Sequence, residues 1–408
     1  MNTKAELKRL QSESLYGKIL LTEARLREWV GYWGEDGVYI SFSGGKDSTV
    51  LADIYARLCQ RYGWEMYLVF VNTGLEYPEI QKFVKTYAEW LRKQYDIDVH
   101  LEILRPKMRF DEVIKKYGYP LISKEISKTV SAARRLDSRY GVVCRERLNG
   151  TLLQASGKKS LFNCSKYKPL LDVDFEVSSF CCDVMKKNPT HEYARKTGRK
   201  PITAQMASES RLREQKWLKN GCNGFELESP ISNPMAFWTE QDVLRYIQKY
   251  NIPIASVYGE IEYAEIPEQM RFEELGIEDC GTDYLATTGC DRTGCIFCAF
   301  GCHLEQEPSR FQRLKETHPR QYKYCIGGGE YSWKGIAYTS DGKPRDIPWI
   351  NDDDSPMSSE EIESFVDENK DNECFKFIRV WQPSKEGLGM GHVFDELNKI
   401  YGDGFIKY

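Results

Sequence analysis

Hydrophobic and polar positions follow two different periods along the first part of the chain. Short runs of β-branched and aromatic residues, one beginning at Gly37 and two spanning residues 66–71 and 99–104, predict three β-strands. Apolar residues at helical spacing follow the first run and recur over residues 79–95, which predicts two intervening helices. Strands that alternate with helices over this length indicate an α/β fold with a doubly wound parallel sheet.

Further elements are predicted on both sides of this region. Residues 13–33 carry apolar positions at roughly helical spacing and predict a helix before the first strand. Residues 201–206 (PITAQM) predict a strand, and residues 207–213 (ASESRLR) predict the start of a helix. Thr239 is the predicted N-cap of another helix, which ends before Pro253.

A polar glycine loop, residues 43–48 (SGGKDS), lies between the first predicted strand and its helix. Its two glycines let the backbone approach a ligand closely, and the helix N-terminus offers unpaired N–H groups and partial positive charge. Lys46 adds a full charge, Ser43 and Ser48 add hydroxyl donors, and Asp47 suggests a metal ligand or an N-cap. We interpret the loop as a phosphate-binding site, with an ordinary glycine-rich turn as the alternative.

A second polar turn, residues 72–78 (NTGLEYP), follows the next predicted strand. Because ligands bind beyond the carboxyl ends of parallel strands, we expect it beside the glycine loop. Thr73, Gly74 and Glu76 are candidate contacts to ribose, metal or substrate, although a plain turn also explains the segment.

Two arginines, Arg211 and Arg213, open the helix predicted after residue 206. Arginine suits bidentate recognition of phosphate or sulfate. Residues two apart do not share a helix face, so we expect one arginine to bind a ligand and the other to be structural.

Composition and charge narrow the class of protein. The chain has 408 residues, 41% hydrophobic and 29% charged, which fits one large globular domain with an appendage. No run of about eighteen apolar residues predicts a membrane span, and the charged N-terminus does not resemble a signal peptide. Thirteen cysteines in such a chain indicate a reducing, cytoplasmic setting, where metal ligands or catalytic thiols are favoured over disulfides.

The formal charge of −4 conceals a basic stretch. Over residues 105–170 basic side chains outnumber acidic ones roughly three to one. Such a stretch suits nucleic acid or an anionic nucleotide, and a solvated helix face is the alternative.

Cysteines concentrate in a vicinal pair at 181–182 and a dense group over residues 290–302. The dense group by itself supplies four ligands for a structural zinc ion, Cys290, Cys295, Cys298 and Cys302. Adjacent cysteines chelate one tetrahedral ion only with strain but can reach two irons of a cubane, which favours a [4Fe–4S] cluster. A metal-free thiol cluster stays open. The predicted cluster ligands are Cys181, Cys182, Cys295 and Cys298.

These motifs together resemble one family. The glycine loop matches SGGxDS, the signature of the PP-loop ATP pyrophosphatases, and lacks the spacing of GxxxxGK[ST] and GxGxxG loops. SFSGGKDS, VNTGLEYP, CCDVMKKNP, the ESRLR helix and GCIFC occur in the order found in the phosphoadenosine phosphosulfate reductase family, over about residues 37–325. The segment RFQRLKETHP is similar to a branch found in phages and mobile elements.

The resemblance implies a fold and a division of the chain. The fold is the PP-loop adenine nucleotide alpha hydrolase type, with a mostly helical cysteine-rich C-terminal region. In adenylylsulfate reductases of the family, CC plus C-x2-C holds a [4Fe–4S] cluster. The predicted segments are an N-terminal helical segment at 1–33, a nucleotide-binding α/β domain at 34–235, a helical iron–sulfur region at 236–330 and a C-terminal cap at 331–408.

Two departures separate this chain from the sulfonucleotide reductases of the family. Those enzymes use a C-terminal cysteine in an ECG-type motif, whereas this chain ends GDGFIKY and its last cysteine, Cys374, lacks the glycine. They also usually lack the complete SGGKDS. Both departures favour chemistry at the α-phosphate of ATP over sulfate reduction. Asn72 stands where the family more often has an acid, which weakens the case for a magnesium ligand in the second turn.

The predicted activity is adenylation of an acceptor, tRNA or DNA among the options, followed by sulfur transfer. A sulfonucleotide reductase and a non-catalytic nucleotide-binding protein of a phage or defence module are the alternatives. The sulfur nucleophile is expected from the cluster or from a cysteine such as Cys144, Cys222 or Cys302. Expected partners are a nucleotide, the acceptor and a sulfur donor or reductant protein, without a membrane, and a homodimer is left open.

Lys46, Asp47 and Arg211 are the residues predicted to be catalytic. The predicted contacts to Mg²⁺-ATP are Ser41, Ser43, Gly44, Gly45, Lys46, Asp47, Ser48, Asn72, Thr73, Gly74, Glu76, Arg211 and Arg213.

Overall fold

The computed structural model describes residues 2–265, 284–339, 342, 344–351, 353 and 355–408. The chain forms two compact units, each made of two separate segments: Met1–Lys107 with Lys186–Cys295, and Met108–Met185 with Ile296–Tyr408. The boundaries predicted at residues 33, 235 and 330 stay a prediction. Residues 266–283 of the predicted cysteine-rich region lie outside the described residues.

A six-stranded sheet forms the centre of the first unit. Neighbouring strands pair in parallel except at one edge, where the last two are antiparallel. The order reverses beside the first strand of the chain, which makes that strand the switch point where open α/β sheets bind ligands. The strands lie in the order Val99–Leu104, Met66–Val71, Val38–Ser41, Lys200–Ile202, Ile231–Ser232 and Asn223–Gly224.

Helices flank this sheet because its central strands are apolar on both faces. Ile40 and Leu68 are fully buried, as expected for parallel strands covered on two sides. The short strands Ile261–Tyr263 and Leu285–Thr287 pair antiparallel. The described helices of this unit are Lys4–Gln11, Leu15–Trp33, Lys46–Tyr62, Pro78–Tyr95, Asn188–Thr197, Arg211–Asn220 and Glu240–Tyr250.

The second unit combines helices with an antiparallel sheet. Strand Glu330–Tyr338 pairs with Pro344–Asp346 on one side and with Phe375–Gln382 on the other. Two-residue strands Leu121–Ile122 and Ala299–Phe300 pair in parallel. The described helices are Phe110–Tyr117, Lys124–Arg135, Arg139–Asn149, Arg310–Thr317, Pro319–Ile326, Ser359–Asn369 and Met390–Tyr401.

The core of the second unit joins its two chain segments. The fully buried Tyr119 donates its hydroxyl hydrogen bond to the carbonyl of Leu388 at 2.7 Å. The backbone N–H of Trp381 donates to the carbonyl of Asp174 at 2.6 Å. Neither segment of this unit therefore buries its own apolar side chains alone.

The α/β fold with a central parallel sheet is confirmed. The strands predicted at 66–71 and 99–104 are present with those bounds, and Thr239 caps its helix by accepting a hydrogen bond from the N–H of Asp242. The helix predicted over 13–33 begins at Leu15, after Ser14 as N-cap, and a separate helix precedes it. The strand predicted at 201–206 is shorter, Lys200–Ile202. The antiparallel sheet of the second unit falls in the segment predicted as a C-terminal cap at 331–408, for which no strands were predicted.

Within the residues that the structure describes, no helix is both long enough and apolar enough to cross a bilayer.

Candidate nucleotide-binding site

The glycine loop leaves the sheet at its switch point, directly after strand Val38–Ser41. Its two serine hydroxyls share a hydrogen bond of 2.9 Å, and the N–H of Ser43 donates to the Ser48 oxygen at 3.2 Å. Ser48 in turn donates to the carbonyl of Gly45 at 2.9 Å. These short contacts tie the two ends of the loop together and hold it in one conformation.

Gly44 is needed at its position for two reasons. Its φ is +72°, in the left-handed region that favours glycine. A Cβ atom there would also lie 2.9 Å from Ile80 Cγ2 and 3.0 Å from Val84 Cγ2, on the helix that follows the second turn. The loop therefore packs closely on helix Pro78–Tyr95, and a larger residue would displace it.

Lys46 is buried at the N-terminus of its helix, with 4% of the residue exposed. Its ammonium donates to the carbonyl of Asp291 at 2.6 Å and pairs with Glu240 Oε1 at 2.8 Å. Burial alone would lower the pKa of Lys46, but the carboxylates of Asp47 and Glu240 outweigh it and raise that pKa. Lys46 is therefore protonated and held in place by Asp291 and Glu240.

Tyr258 and Thr293 pack over the loop and cover its backbone. The N–H of Lys46 donates to the Tyr258 hydroxyl at 3.2 Å, and that hydroxyl shares a hydrogen bond of 2.6 Å with Thr293 Oγ1. A Cβ atom on Gly45 would stand 3.3 Å from the Tyr258 hydroxyl and 3.5 Å from Thr293 Oγ1. One donor of the helix N-terminus is therefore satisfied by a tyrosine.

Asp47 carries a buried carboxylate oxygen, Oδ1, for which the described residues provide no hydrogen-bond partner. Burial raises the pKa of Asp47, and the positive charges of Lys46, Arg292 and Arg213 offset this in part. A buried oxygen without a donor is a position that a cation or an ordered water satisfies. Asp47 therefore fits the predicted metal ligand better than the N-cap, since no side chain caps this helix.

Two arginines form a positive patch beside Asp47. Glu209 forms ion pairs with Arg213 and, at 2.8 Å, with Arg292. One carboxylate is therefore paired with two guanidinium groups. The positive charges of both arginines lower the pKa of Asp47 and so oppose the effect of its burial. Arg213 is the member of the predicted arginine pair whose charge reaches the loop, whereas Arg211 is exposed at the first position of the same helix.

The second turn satisfies its own polar groups. Thr73 donates its N–H and its hydroxyl to the two carboxylate oxygens of Glu76, at 3.1 and 2.6 Å. The N–H of Gly74, at φ +75°, donates to Asn72 Oδ1 at 3.0 Å. These contacts are those of a self-contained turn, in which each carboxylate oxygen of Glu76 already accepts one hydrogen bond. Ser41 is the last residue of its strand and pairs with Val69.

The four predicted cluster cysteines belong to different units: Cys295 to the first, and Cys181, Cys182 and Cys298 to the second. Among the described residues, no group of three or more His, Cys, Asp and Glu side chains is arranged to hold a metal ion. The four-cysteine set therefore stays a prediction.

Sequence reasoning did not single out Glu240, Tyr258, Asp291, Arg292 and Thr293 as contacts of the loop region. All of them lie far along the chain from residues 43–48, and strand or helix periodicity carries no signal for such contacts. The TGCDRTG run was noted only for its cysteines. Gly289, where a Cβ atom would overlap the carbonyl oxygen of Val257, marks a close approach of two backbone segments and was the available hint.

A mostly parallel sheet that carries SGGKDS and a buried lysine at its switch point defines a PP-loop nucleotide-binding protein. The sequence profile of the phosphoadenosine phosphosulfate reductase domain matches residues 37–300. Since this match covers more than half of the chain, the protein belongs to the phosphoadenosine phosphosulfate reductase family. The match does not distinguish branches, so the phage and mobile-element branch stays a prediction.

Two solved structures show a weak overall similarity. The NMN synthetase from Francisella tularensis is 11% identical with a TM-score of 0.29, over 59% of this chain and 73% of that chain. The U34-tRNA thiolase NcsA from Methanococcus maripaludis, solved with its [4Fe–4S] cluster, is 14% identical with a TM-score of 0.27, over 59% and 65%. TM-scores this low carry no inference about function. A comparison with curated proteins found no significant match.

Proposed function

We propose that the protein binds ATP on the glycine loop and transfers its adenylyl group to an acceptor, which sulfur then attacks. The observation that carries the proposal is the buried, positively charged Lys46 at the N-terminus of a helix, within a complete SGGKDS loop at the sheet's switch point. A buried ammonium beside helix N–H groups is suited to the β- and γ-phosphates of a nucleoside triphosphate.

The charge of each side chain at the glycine loop determines its proposed role. Lys46 and Arg213 stabilise the negative charge that develops on the leaving pyrophosphate. Ser43 and Ser48 donate to phosphate oxygens after exchanging the hydrogen bond that they now share. Asp47 would hold magnesium through its unpartnered oxygen, and the ion neutralises phosphate charge when bound. Thr73, Gly74 and Glu76 remain candidate ribose contacts.

The proposed reaction has two balanced steps. An acceptor oxygen forms a bond to the α-phosphorus, and the bond from that phosphorus to the bridging oxygen breaks, which releases pyrophosphate. A sulfur nucleophile then forms a bond to the acceptor atom that carries the adenylylated oxygen, the bond between that atom and the oxygen breaks, and AMP leaves with the oxygen. A sulfur donor or reductant protein supplies the sulfur, and no step is assigned to a metal cluster.

The test is pyrophosphate release from Mg²⁺-ATP, measured without acceptor and with tRNA, DNA or small oxyanions. Acceptor-dependent pyrophosphate, lost in Lys46→Ala, supports the proposal. Sulfite formed from adenylylsulfate or phosphoadenylylsulfate plus thioredoxin, without ATP use, identifies a sulfonucleotide reductase instead. Nucleotide binding without turnover under all of these conditions identifies a non-catalytic binding protein.

The iron–sulfur prediction requires a separate test. Purification without oxygen, followed by iron, sulfide and zinc analysis, distinguishes a [4Fe–4S] cluster from a zinc site and from metal-free thiols. If Cys181, Cys182, Cys295 and Cys298 are the ligands, replacing Cys181 and Cys182 by serine lowers iron and sulfide together. The matched control is Cys374→Ser, at an exposed cysteine. Equal metal content in both variants contradicts the ligand assignment.

A further inference from the structure

The first unit contains a cavity of about 250 Å³ to which the proposed function assigns no ligand. It lies beyond the carboxyl ends of strands Lys200–Ile202 and Ile231–Ser232, which contribute Gln205 and Asn233 to its wall. In an open parallel sheet, that edge is where ligands bind.

One face of helix Arg211–Asn220 forms the opposite wall. Arg213, Lys216 and Asn220 line the cavity, and they are spaced three and four residues apart, as residues on one helix face are. The wall therefore presents two cations and an amide. None of the residues that line this cavity is a carboxylate.

The remaining polar groups of the cavity add donors and no negative charge. Asn233 Oδ1 accepts the hydroxyl hydrogen of Thr203 at 2.5 Å, which leaves its NH₂ group as a donor. Cys222 also lines the cavity, and burial raises the pKa of its thiol, so it stays neutral. A cavity with this lining favours a negatively charged ligand.

Arg213 connects the cavity to the glycine loop. It lines the cavity, and it is also one of the charges that act on Asp47. Because the single carboxylate of Glu209 pairs with both Arg213 and Arg292, it balances only one of the two positive charges. The other positive charge is available to a ligand. A molecule in the cavity therefore shares Arg213 with the proposed triphosphate site.

We propose that this cavity binds the acceptor, and that the acceptor is a small molecule bearing an oxyanion such as a carboxylate, sulfate or phosphate. The identification of the ligand as the acceptor rests on the proposed function. The presence of an anion site in the cavity does not depend on it. Ligand pockets usually enclose about 300–1,000 Å³, so a cavity of this size suits a compact metabolite and not a nucleic-acid strand.

The experiment measures binding of inorganic sulfate, inorganic phosphate and a small dicarboxylate by calorimetry at constant ionic strength, in the absence of nucleotide. The informative variant is Lys216→Gln, and the matched control is Lys219→Gln, an exposed lysine of the same helix that does not line the cavity. We expect Lys216→Gln to weaken binding of the preferred anion about tenfold or more and Lys219→Gln to leave it unchanged. Equal binding by the two variants overturns the proposal.

A second comparison locates the anion. Lys46→Ala removes the charge of the glycine loop, where inorganic phosphate and sulfate also bind if that loop is a phosphate site, and is expected to keep the part of the anion binding that depends on Lys216. If Lys46→Ala abolishes binding while Lys216→Gln does not, the anion occupies the glycine loop and the cavity assignment is wrong. Binding of none of the three anions also contradicts it.

The two proposals fail in different ways. Anion binding that depends on Lys216, without any pyrophosphate release, leaves the cavity site standing and contradicts adenylation. Pyrophosphate release stimulated by tRNA or DNA but by no small oxyanion supports adenylation and contradicts the small acceptor.

Discussion

Lys46 is held by two groups of the protein before any nucleotide arrives. The carboxylate of Glu240 and the carbonyl of Asp291 take two of the three N–H donors of the ammonium group. A triphosphate at this lysine therefore binds through the third donor or in exchange for one of these partners. The nucleotide affinity therefore depends on how strongly these internal partners compete.

Replacing Lys46 by alanine should weaken Mg²⁺-ATP binding by about 10- to 100-fold, because hydrogen bonds to charged groups contribute about 1.5–3 kcal/mol. The measurement is calorimetric titration with a non-hydrolysable ATP analogue. Lys85→Ala, at an exposed position of helix Pro78–Tyr95, is the control and should bind normally. Similar affinities in the two variants would exclude Lys46 as a phosphate contact.

Glu240→Gln should act in the opposite direction. The variant keeps the shape of the side chain but removes the charge that competes with phosphate for Lys46. Because 43% of the Glu240 side chain is exposed, solvent screens its ion pair with Lys46. We therefore expect the affinity for Mg²⁺-ATP to rise only about twofold to fivefold. Titration of Glu260→Gln, an exposed glutamate of the same unit, gives the reference value. Unchanged or weaker binding in Glu240→Gln would show that the pair does not compete.

At the scale of elements, one arginine fixes a loop of the second unit. Arg134, near the end of helix Lys124–Arg135, donates to the carbonyls of Leu170, Val173 and Phe175 at 2.6–2.9 Å. Burial lowers the pKa of Arg134 despite the nearby Glu176. The guanidinium thus replaces the regular backbone partners that this irregular segment lacks.

Arg134→Ala should lower the free energy of unfolding by about 2–4 kcal/mol, because it leaves buried carbonyls without donors. The adjacent Arg135 has half of its side chain exposed, and Arg135→Ala should change stability by less than about 0.5 kcal/mol. Urea denaturation followed by tryptophan fluorescence provides both values. Equal midpoints would mean that water replaces the guanidinium without loss.

Elements that depend on local pattern were predictable, and elements that depend on distant pairing were not. Strands Met66–Val71 and Val99–Leu104 were identified with their bounds because the first is a continuous apolar run and the second alternates apolar with polar residues. Thr239 was identified because a cap is decided within four residues. The antiparallel sheet of the second unit was missed, since strand Glu330–Tyr338 carries both Lys334 and Gly335 and its partner lies almost forty residues later.

In the candidate site too, local motifs were predictable from the sequence and contacts between distant residues were not. The glycine loop was recognised from six adjacent residues, whereas its partners Glu240 and Tyr258 come from elsewhere in the fold. Between Arg211 and Arg213, the sequence favoured Arg211 as catalytic, and the structure has Arg213 beside Asp47. Helix phase relative to the sheet decides this, and helix phase depends on packing that a single sequence does not display.

At the scale of the whole molecule, the chain passes between the two units three times. Residues 37–300 match the family profile, yet this range includes only part of the second unit. Tyr119 and Asp174 of its first segment depend on Leu388 and Trp381 of its second. We therefore expect that residues 37–300 do not fold completely by themselves.

A chain that ends at residue 300 should lose amide protection over residues 119–135 but keep it over residues 66–71, because the first unit remains complete. Hydrogen exchange with mass spectrometry, compared with the full chain, measures both regions. Retained protection over residues 119–135 would show that the first segment of the second unit folds without the C-terminal residues.

The position of strand Lys200–Ile202 in the sheet has a consequence for synthesis on the ribosome. This strand pairs directly with Val38–Ser41, although it follows it by a long stretch of chain. At about 5–20 residues per second, the roughly 160 intervening residues take on the order of ten seconds to be translated. During that interval the nascent polypeptide presents an open strand edge and a half-built sheet, the kind of surface to which ribosome-associated chaperones bind.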